Sequence, residues 1–285
     1  MPNGLLKEIF LPTKEQKIGD QASTIGECQQ VECNSNASGL WEMGWQASPQ
    51  NGVCQFAQLL LCLHGMQNSL VALDQGVKGE FRIRELVMIQ GESNFIGLHK
   101  ENGLKLKLDV SKVYFSPRLA MERKRIVDYA SKGESILDAF AGASPFSVGL
   151  AKKGCKVTSV DSNPEAEKWS HENFRLNNIK SEDYNFFTSK IEDIIQDLGV
   201  YDRIIMNNPT NPLPYLEDLS SLLKPNGFIH LYKIVEKGEE FKVANHLKSS
   251  FKCVSERVVH PYSAQSSMMA FDITRAVSNV LNTNQ

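Results

Sequence analysis

Residues 136–147 of the chain, ILDAFAGASPFS, constrain its fold more than any other stretch. A short apolar run ends at Asp138, and a turn of small residues follows. Ser144 and Pro145 are then typical of a helix start, with Ser144 as the capping residue. This pattern predicts a buried strand, a tight loop and a helix, the first βα unit of a doubly wound parallel sheet. Ligands of such sheets bind at the carboxyl ends of the strands, so we expect the ligand at this loop.

The loop contains one glycine, Gly142, and this excludes two common phosphate-binding loops. A dinucleotide-binding loop has several glycines, whose backbone N–H groups close around a pyrophosphate, and a P-loop continues with Gly-Lys-Ser or Gly-Lys-Thr. A single glycine suits a ligand that presents a small zwitterion to the backbone, as the methionine part of S-adenosylmethionine does. The loop therefore indicates S-adenosyl-L-methionine as the cofactor.

The next βα unit predicts a further part of the same site. Residues 155–161, CKVTSVD, form an apolar strand that ends at Asp161, nineteen residues after Gly142. An acid at about this distance can hold both hydroxyls of a ribose. The alternative is a turn residue ahead of a helix capped by Asn163, and the spacing favours the ribose role.

Three motifs together resemble those of the archaeal and eukaryotic tRNA (guanine(37)-N1)-methyltransferases, which methylate the guanosine just 3′ of the anticodon. They are DAFAGASPF at 138–146, VYFSPRLAMER at 113–123 and IMNNP at 205–209, and the resemblance covers about residues 78–275. It implies an α/β fold, in which a Rossmann-like class I methyltransferase domain has a seven-stranded, mostly parallel doubly wound sheet. A small α+β RNA-binding domain precedes it. We predict domains at 1–112 and 113–285.

The resemblance also implies the residues of two sites. The cofactor-binding residues are expected to be Asp138, Phe140, Ala141, Gly142, Pro145, Asp161, Ser162, Ser189 and Asn207. Ser189 takes the place of an acid that the family often has near the adenine. The catalytic residues are expected to be Arg118, Glu122, Asn207, Pro209 and Arg82. Among these, Glu122 is implied as the proton acceptor and Arg118 as the group that stabilises the oxygen of the base.

Methylation of a guanine ring nitrogen requires that the nitrogen face the methyl group, lose its proton, and have the charge on its neighbouring oxygen stabilised. Arg118 and Glu122 are four residues apart on a predicted helix and therefore share a face. The alternative is an exposed ion pair. Because Arg118 would lie in the first turn, where the helix dipole disfavours a cation, a bound ligand explains its position better.

For two further predicted site residues, Asn207 and Arg82, a purely structural role is an alternative to a catalytic one. Asn207 ends the fourth predicted strand, where its amide can donate to and accept from a base edge, while Pro209 stiffens the loop. Asn208 departs from the family, in which this residue is usually apolar, and an ordinary turn is the alternative. Arg82 matches a family arginine that reaches the active site, but an exposed strand residue is an equal alternative.

The alternation of strand and helix patterns predicts the order of elements beyond residue 112. Strands are expected near 134–139, 155–161, 184–188, 201–206 and 227–233, with a closing pair at 251–255 and 268–273. Helices are expected near 144–153, 164–176, 190–197, 213–223 and 236–249. Residues 113–115 are predicted as a strand, followed by a helix from 116 to about 130. His230, inside a predicted strand, is expected to be a hydrogen-bonded core residue.

The first part of the chain follows other patterns. Residues 80–88 alternate between polar and apolar side chains, as a strand with one solvent-exposed face does. Residues 95–98 and 104–108 are predicted as strands joined by a hairpin turn at Asn102-Gly103. Residues 55–73 are consistent with an apolar helix. Residues 18–77 contain no Lys or Arg, and the sequence predicts no role for them.

Charge and composition bear on partners and location. The net charge is −2, yet residues 78–125 carry eleven basic and six acidic side chains, a local surface that suits the tRNA anticodon stem-loop. The six cysteines form no CxxC pair, so we expect no metal site and a reducing cytoplasm. No apolar stretch is long enough for a membrane span, and neither a secretion signal nor a DNA partner is indicated. A monomer is expected.

Two alternatives to N1 methylation at position 37 stay open at this point. One is a transferase of wybutosine synthesis, which adds an aminocarboxypropyl group or methylates the tricyclic base at the same nucleotide. The combination of Arg118, Glu122, Asn207 and Pro209 favours methyl transfer over the first of these reactions. The other alternative is a non-catalytic RNA-binding relative.

Overall fold

The computed structural model describes residues 7–9, 11–12, 30–32, 69–90, 95–239, 241–246 and 248–275. It divides into two compact units, Met1–Phe115 and Ser116–Gln285. Among the described residues, none of the helices is long and apolar enough to cross a membrane.

The described part of the first unit consists of strands. One sheet contains β1 (Lys7–Ile9), β2 (Leu11–Pro12), β3 (Gln30–Glu32), β4 (Ser69–Lys78) and β5 (Ile83–Gln90), and a separate hairpin contains β6 (Ile96–Glu101) and β7 (Leu104–Asp109). The predicted hairpin turn is confirmed. Both turn residues have positive φ angles, 48° at Asn102 and 73° at Gly103, as the two-residue turns favoured in hairpins require.

Three expectations for the first unit were wrong. Residues 69–73 of the predicted helix at 55–73 belong to β4, because they pair antiparallel with β2 and β5; residues 55–68 lie outside the described residues. Arg82 is in the turn before β5, with φ at 52°, rather than in the strand. Residues 113–115 form no strand. The N–H groups of Lys112 and Val113 donate to the Asp109 carbonyl, and these bonds turn the chain after β7.

The second unit is built on one seven-stranded sheet, and the predicted fold class is confirmed. Its strands are β8 (Ser135–Asp138), β9 (Lys156–Asp161), β10 (Tyr184–Thr188), β11 (Tyr201–Met206), β12 (Leu223–Glu236), β13 (Phe251–Pro261) and β14 (Ser266–Arg275). Their order is β10-β9-β8-β11-β12-β14-β13. The first five strands are parallel, and β14 runs antiparallel to both β12 and β13.

Among the described residues of this unit, five α-helices accompany the sheet: α1 (Ala120–Tyr129), α2 (Pro145–Lys153), α3 (Pro164–Leu176), α4 (Ile191–Ile194) and α5 (Leu213–Ser221). A 3₁₀ turn, Pro117–Leu119, precedes α1. The central strands are buried on both faces, as parallel strands between helices are, and Leu137, Ile204 and Ile229 are wholly inaccessible.

The expectation of a helix at 236–249 was wrong. Its described residues contain only a 3₁₀ turn, Val243–His246. The strand β12 continues to Glu236 because it pairs with β14 as far as Ser266, and Lys237 still donates to the Gln265 carbonyl. Gly238 then adopts a φ of 86°, which a helix does not accommodate.

Candidate functional site

The loop after β8 is fixed between its two neighbouring strands. The N–H of Ala139 donates to the Ile205 carbonyl of β11 at 3.0 Å, and the N–H of Ala141 donates to the Val160 carbonyl of β9 at 2.9 Å. The backbone of this loop is therefore held in place by the sheet itself.

Asp161 at the end of β9 closes the loop. Its Oδ2 accepts from the N–H of Gly142 at 2.6 Å, and its Oδ1 accepts from the N–H of Asn163 at 2.9 Å. Burial raises the pKa of Asp161, and these two hydrogen bonds oppose that rise. Since each carboxylate oxygen has two lone pairs, both oxygens can still accept one bond from a ligand.

Ser144 occupies the predicted position before α2 but does not cap the helix with its side chain. Its φ of 62° lies in the left-handed region, and its hydroxyl pairs with that of Ser170 on α3 at 2.6 Å. Asn173, also on α3, donates to the Ala143 carbonyl at 2.9 Å. The side chain is thus used to bind the loop to α3 rather than to cap α2.

Asp138 is wholly buried at the end of β8. Its Oδ2 accepts from the Ser147 hydroxyl at 2.7 Å, and Ser147 accepts in turn from Ser159. Its Oδ1 has no hydrogen-bond partner among the described residues. Burial, together with the nearby charge of Asp161, raises the pKa of Asp138 to about 7, although bonds from Ser147 and from the backbone oppose the rise.

A second buried oxygen without a partner belongs to Asn207, which follows β11. Its Oδ1 accepts no hydrogen bond from any described residue. Pro209, which is buried, accepts at its carbonyl from the N–H of Ile234 at 2.8 Å, so this loop is tied to β12. Because β8 and β11 are adjacent and parallel, Asp138 and Asn207 place their unpartnered oxygens at the same edge of the sheet.

The other predicted cofactor residues lie in and beside this loop. Phe140 packs edge-on against Tyr215, with ring centroids 5.2 Å apart, and Pro145 begins α2. Ser162 follows Asp161. Ser189 donates its N–H to the Asp161 carbonyl, but its hydroxyl donates to the Lys190 carbonyl.

Glu122 on α1 is buried, so the alternative of an exposed ion pair with Arg118 was wrong. Its carboxylate accepts from Arg125 one turn along α1, from the Tyr232 hydroxyl on β12 at 2.8 Å, and from Arg257 on β13 at 2.7 Å. Arg118 itself is exposed, in the 3₁₀ turn before α1.

A second buried acid, Asp272 on β14, lies on the other side of the same arginines. It accepts from Arg125 and from Arg257, each at 3.0 Å, and from His230 at 2.6 Å. Burial would raise the pKa of Asp272, but the bond from His230 and the charge of Arg125 hold it below its usual value. His230 is therefore a hydrogen-bonded core residue, as predicted.

No pattern in the sequence identified Arg125, Tyr232, Arg257 and Asp272 as site residues. Only Arg125 is near Glu122 in sequence, and Tyr232 lies within the strand expected near 227–233. Arg82, the remaining predicted site residue, belongs to the first unit, where its guanidinium lies 4.7 Å from the ring centroid of Tyr114. Its part in the site stays a prediction.

Comparisons with known proteins agree with the resemblance found in the three motifs. The TRM5/TYW2 methyltransferase domain family matches residues 97–260. The tRNA (guanine(37)-N(1))-methyltransferase Trm5b of Pyrococcus abyssi is 37% identical over 211 residues, and that of Methanocaldococcus jannaschii is 36% identical over 203 residues. Each alignment covers 69% of this chain.

Solved structures give the same result. Trm5b from Pyrococcus abyssi has a TM-score of 0.64 at 34% identity and matches 76% of this chain and 67% of that chain. A complex of aTrm5 with tRNALeu has a TM-score of 0.63 at 33% identity, matching 71% and 60% of the two chains. The chain spans 60% of the curated Pyrococcus relative and 57% of the Methanocaldococcus one.

The raised pKa of Asp138 makes a testable contribution to stability. Since this acid binds its proton more tightly in the folded protein, folding stability due to Asp138 falls as the pH rises from about 4 to about 7. Asp138→Asn abolishes this titration. The free energy of unfolding of the variant minus that of wild type should therefore be larger at pH 8 than at pH 5. The increase should be on the order of 2 kcal/mol.

Urea unfolding at the two pH values measures this difference. Asp183→Asn, which changes a partly exposed carboxylate paired with Lys156, is the control for general charge effects. An equal change for both variants would contradict the role assigned to burial of Asp138.

Proposed function

Because the chain belongs to the TRM5/TYW2 methyltransferase domain family, we propose that it transfers a methyl group from S-adenosyl-L-methionine to N1 of the guanosine at position 37 of tRNA. The two unpartnered buried oxygens, Asp138 Oδ1 and Asn207 Oδ1, carry this proposal. A buried polar atom without a partner is costly, and a ligand that donates hydrogen bonds at this edge removes that cost.

The residues present fit the proposed cofactor. The backbone turn at Gly142 can contact its amino-acid part, while Asp161 has lone pairs left for the two ribose hydroxyls. The unpartnered oxygen of Asp138 suits an ammonium group, and Phe140, Ala141 and Pro145 supply apolar surface. Ser162 and Ser189 follow the second and third strands, on the side where an adenine would extend. When bound, this cofactor supplies an electrophilic methyl group.

The catalytic roles follow from the chemistry of each side chain. Glu122 accepts the N1 proton, Arg118 stabilises the oxygen next to N1, and Asn207 binds the edge of the base. Pro209 keeps Asn207 in place, because its carbonyl is bound to β12. Arg82, which the resemblance implies, is proposed as a further catalytic residue.

Residues 1–112 are proposed as an RNA-binding domain and residues 113–285 as the methyltransferase domain. The basic residues of 78–125 are proposed to contact phosphates of the anticodon stem-loop. We propose a cytoplasmic monomer that takes tRNA rather than DNA.

A transcript assay tests the reaction directly. We expect the protein to methylate a tRNA transcript with guanosine at position 37 and to leave the same transcript with adenosine there unmodified. Mass spectrometry of the digested nucleosides identifies the group and its position. Labelling of both transcripts or of neither would contradict the proposal, and an added aminocarboxypropyl group would identify the wybutosine-type reaction instead.

Glu122→Gln tests the proton acceptor. The amide keeps the size of the side chain but cannot accept the N1 proton as a carboxylate does. Single-turnover methylation should therefore fall by roughly 100-fold or more, while the dissociation constants of tRNA and cofactor stay within about twofold. Glu167→Gln, which changes an exposed acid on α3, serves as the control. A wild-type rate for Glu122→Gln would show that Glu122 takes no part in catalysis.

Asp161→Ala tests the ribose contact. Loss of both carboxylate oxygens removes two charge-assisted bonds to the cofactor and should raise its dissociation constant roughly 10-fold or more in calorimetry. The matched control is Asp183→Ala, which removes a partly exposed acid from the turn before β10. An unchanged affinity in Asp161→Ala would refute the assignment.

A further inference from the structure

We propose that Arg257, on β13, is a positioning residue that fixes the Glu122 carboxylate so that one particular oxygen, Oε2, receives the proton of the substrate. This inference rests on the proposed function of Glu122 as the proton acceptor. Arg257 lies within the family match, which covers residues 97–260, but it is not in any of the three motifs that carried the resemblance.

Glu122, Asp272 and two arginines form a closed ring, which we call the base clamp (Glu122, Arg125, Arg257 and Asp272). Arg125 donates from Nη2 to Glu122 at 2.6 Å and from Nη1 to Asp272 at 3.0 Å. Arg257 donates from Nη2 to Glu122 at 2.7 Å and from Nη1 to Asp272 at 3.0 Å. Each arginine thus bridges both acids, and the two positive charges balance the two negative ones.

The two carboxylate oxygens of Glu122 accept different numbers of hydrogen bonds. Oε1 accepts from Arg125 Nε, Arg125 Nη2, Arg257 Nη2 and the Tyr232 hydroxyl. Within the described part of the chain, Oε2 accepts only from Arg125 Nε, at 3.0 Å. Because a carboxylate oxygen has two lone pairs, Oε1 is saturated and Oε2 is the oxygen that can take a proton.

Stability alone is a poor explanation for the clamp. A buried ion-pair network recovers its desolvation cost only when its remaining polar atoms are satisfied. Arg257 Nε is buried and has no hydrogen-bond partner among the described residues. An arginine that bears such a cost is better explained by the orientation it gives to Glu122.

The position of Tyr232 connects the clamp with the cofactor loop. Leu231 pairs with Met206, so Tyr232 is level with Asn207, and its ring centroid lies 5.8 Å from that of Phe146 at the start of α2. Burial, together with the charge of Glu122, raises the pKa of Tyr232 well above its usual value, so its hydroxyl stays a donor to Glu122. The clamp therefore holds Glu122 at the sheet edge that carries the predicted site.

Arg257 is the member of the clamp that permits the sharpest test. Arg125 comes from the same helix as Glu122, whereas Arg257 comes from an edge strand and binds Glu122 across 135 residues of sequence. Lys252 is a matched control, because it is an exposed cation on the same strand. Arg257→Met and Lys252→Met each remove one positive charge from β13.

The first measurement is the pH dependence of single-turnover methylation with saturating tRNA and cofactor. For Arg257→Met we expect a plateau roughly 10-fold below wild type, because the carboxylate loses one charge-assisted bond that orients it. Lys252→Met should have the same plateau as wild type.

Arg257→Lys separates charge from geometry. The ammonium group keeps the positive charge but lacks the planar fork that bridges two carboxylates, so the plateau should stay low although the charge is restored. Equal profiles for wild type and Arg257→Met would overturn the inference. So would an equal loss of tRNA affinity in Arg257→Met and Lys252→Met, which would make Arg257 a phosphate contact.

Carboxyl ¹³C NMR of glutamate-labelled protein gives a readout that needs no activity. The Glu122 signal, assigned with Glu122→Gln, should have a different chemical shift in Arg257→Met than in wild type or Lys252→Met, because the carboxylate loses its bond from Arg257. If the signal moves in Arg257→Met but the wild-type protein does not methylate tRNA, the proposed function is contradicted while the clamp is supported. An unshifted signal would overturn the clamp in an active or an inactive protein.

Discussion

The bond between the Gly142 N–H and the Asp161 carboxylate is the constraint on which the rest of the site depends. It joins the loop of one βα unit to the end of the next strand at 2.6 Å. The same loop is bound through Ala139 and Ala141 to strands on both sides. The backbone of this loop is consequently held by the sheet without a ligand, and it needs no ordering when a ligand binds.

Charge balance is the second organising feature. The clamp places two acids and two arginines in the interior, where an uncompensated charge would be costly. His230 extends it, since its other ring nitrogen contacts Arg203, which in turn binds Glu134. Burial lowers the pKa of His230 while Asp272 opposes the fall. The network thus runs from the proposed proton acceptor across three strands of the sheet.

Much of the second unit could be predicted from its sequence, because local patterns determine the relevant features. The strand before Asp138 is a continuous apolar run, and Asn163 with Pro164 marks the start of α3, so both elements were predicted closely. The helix expected at 236–249 failed because long-range pairing of β12 with β14 extends the strand. The closing pair of strands was expected at 251–255 and 268–273, but Arg257 lies beyond the expected strand, and the sequence does not show that Arg257 and Asp272 meet Arg125 and Glu122 of α1.

The order of the strands has a consequence for synthesis of the protein. Glu122 leaves the ribosome early, but its two most distant clamp partners lie on the last hairpin of the described chain, and Asp272 reaches Arg125 across 147 residues. The loop after β8, by contrast, is held by β9, α3 and β11. A nascent chain therefore contains every residue that holds this loop before the final two strands, which complete the clamp around the proposed proton acceptor, have been synthesised.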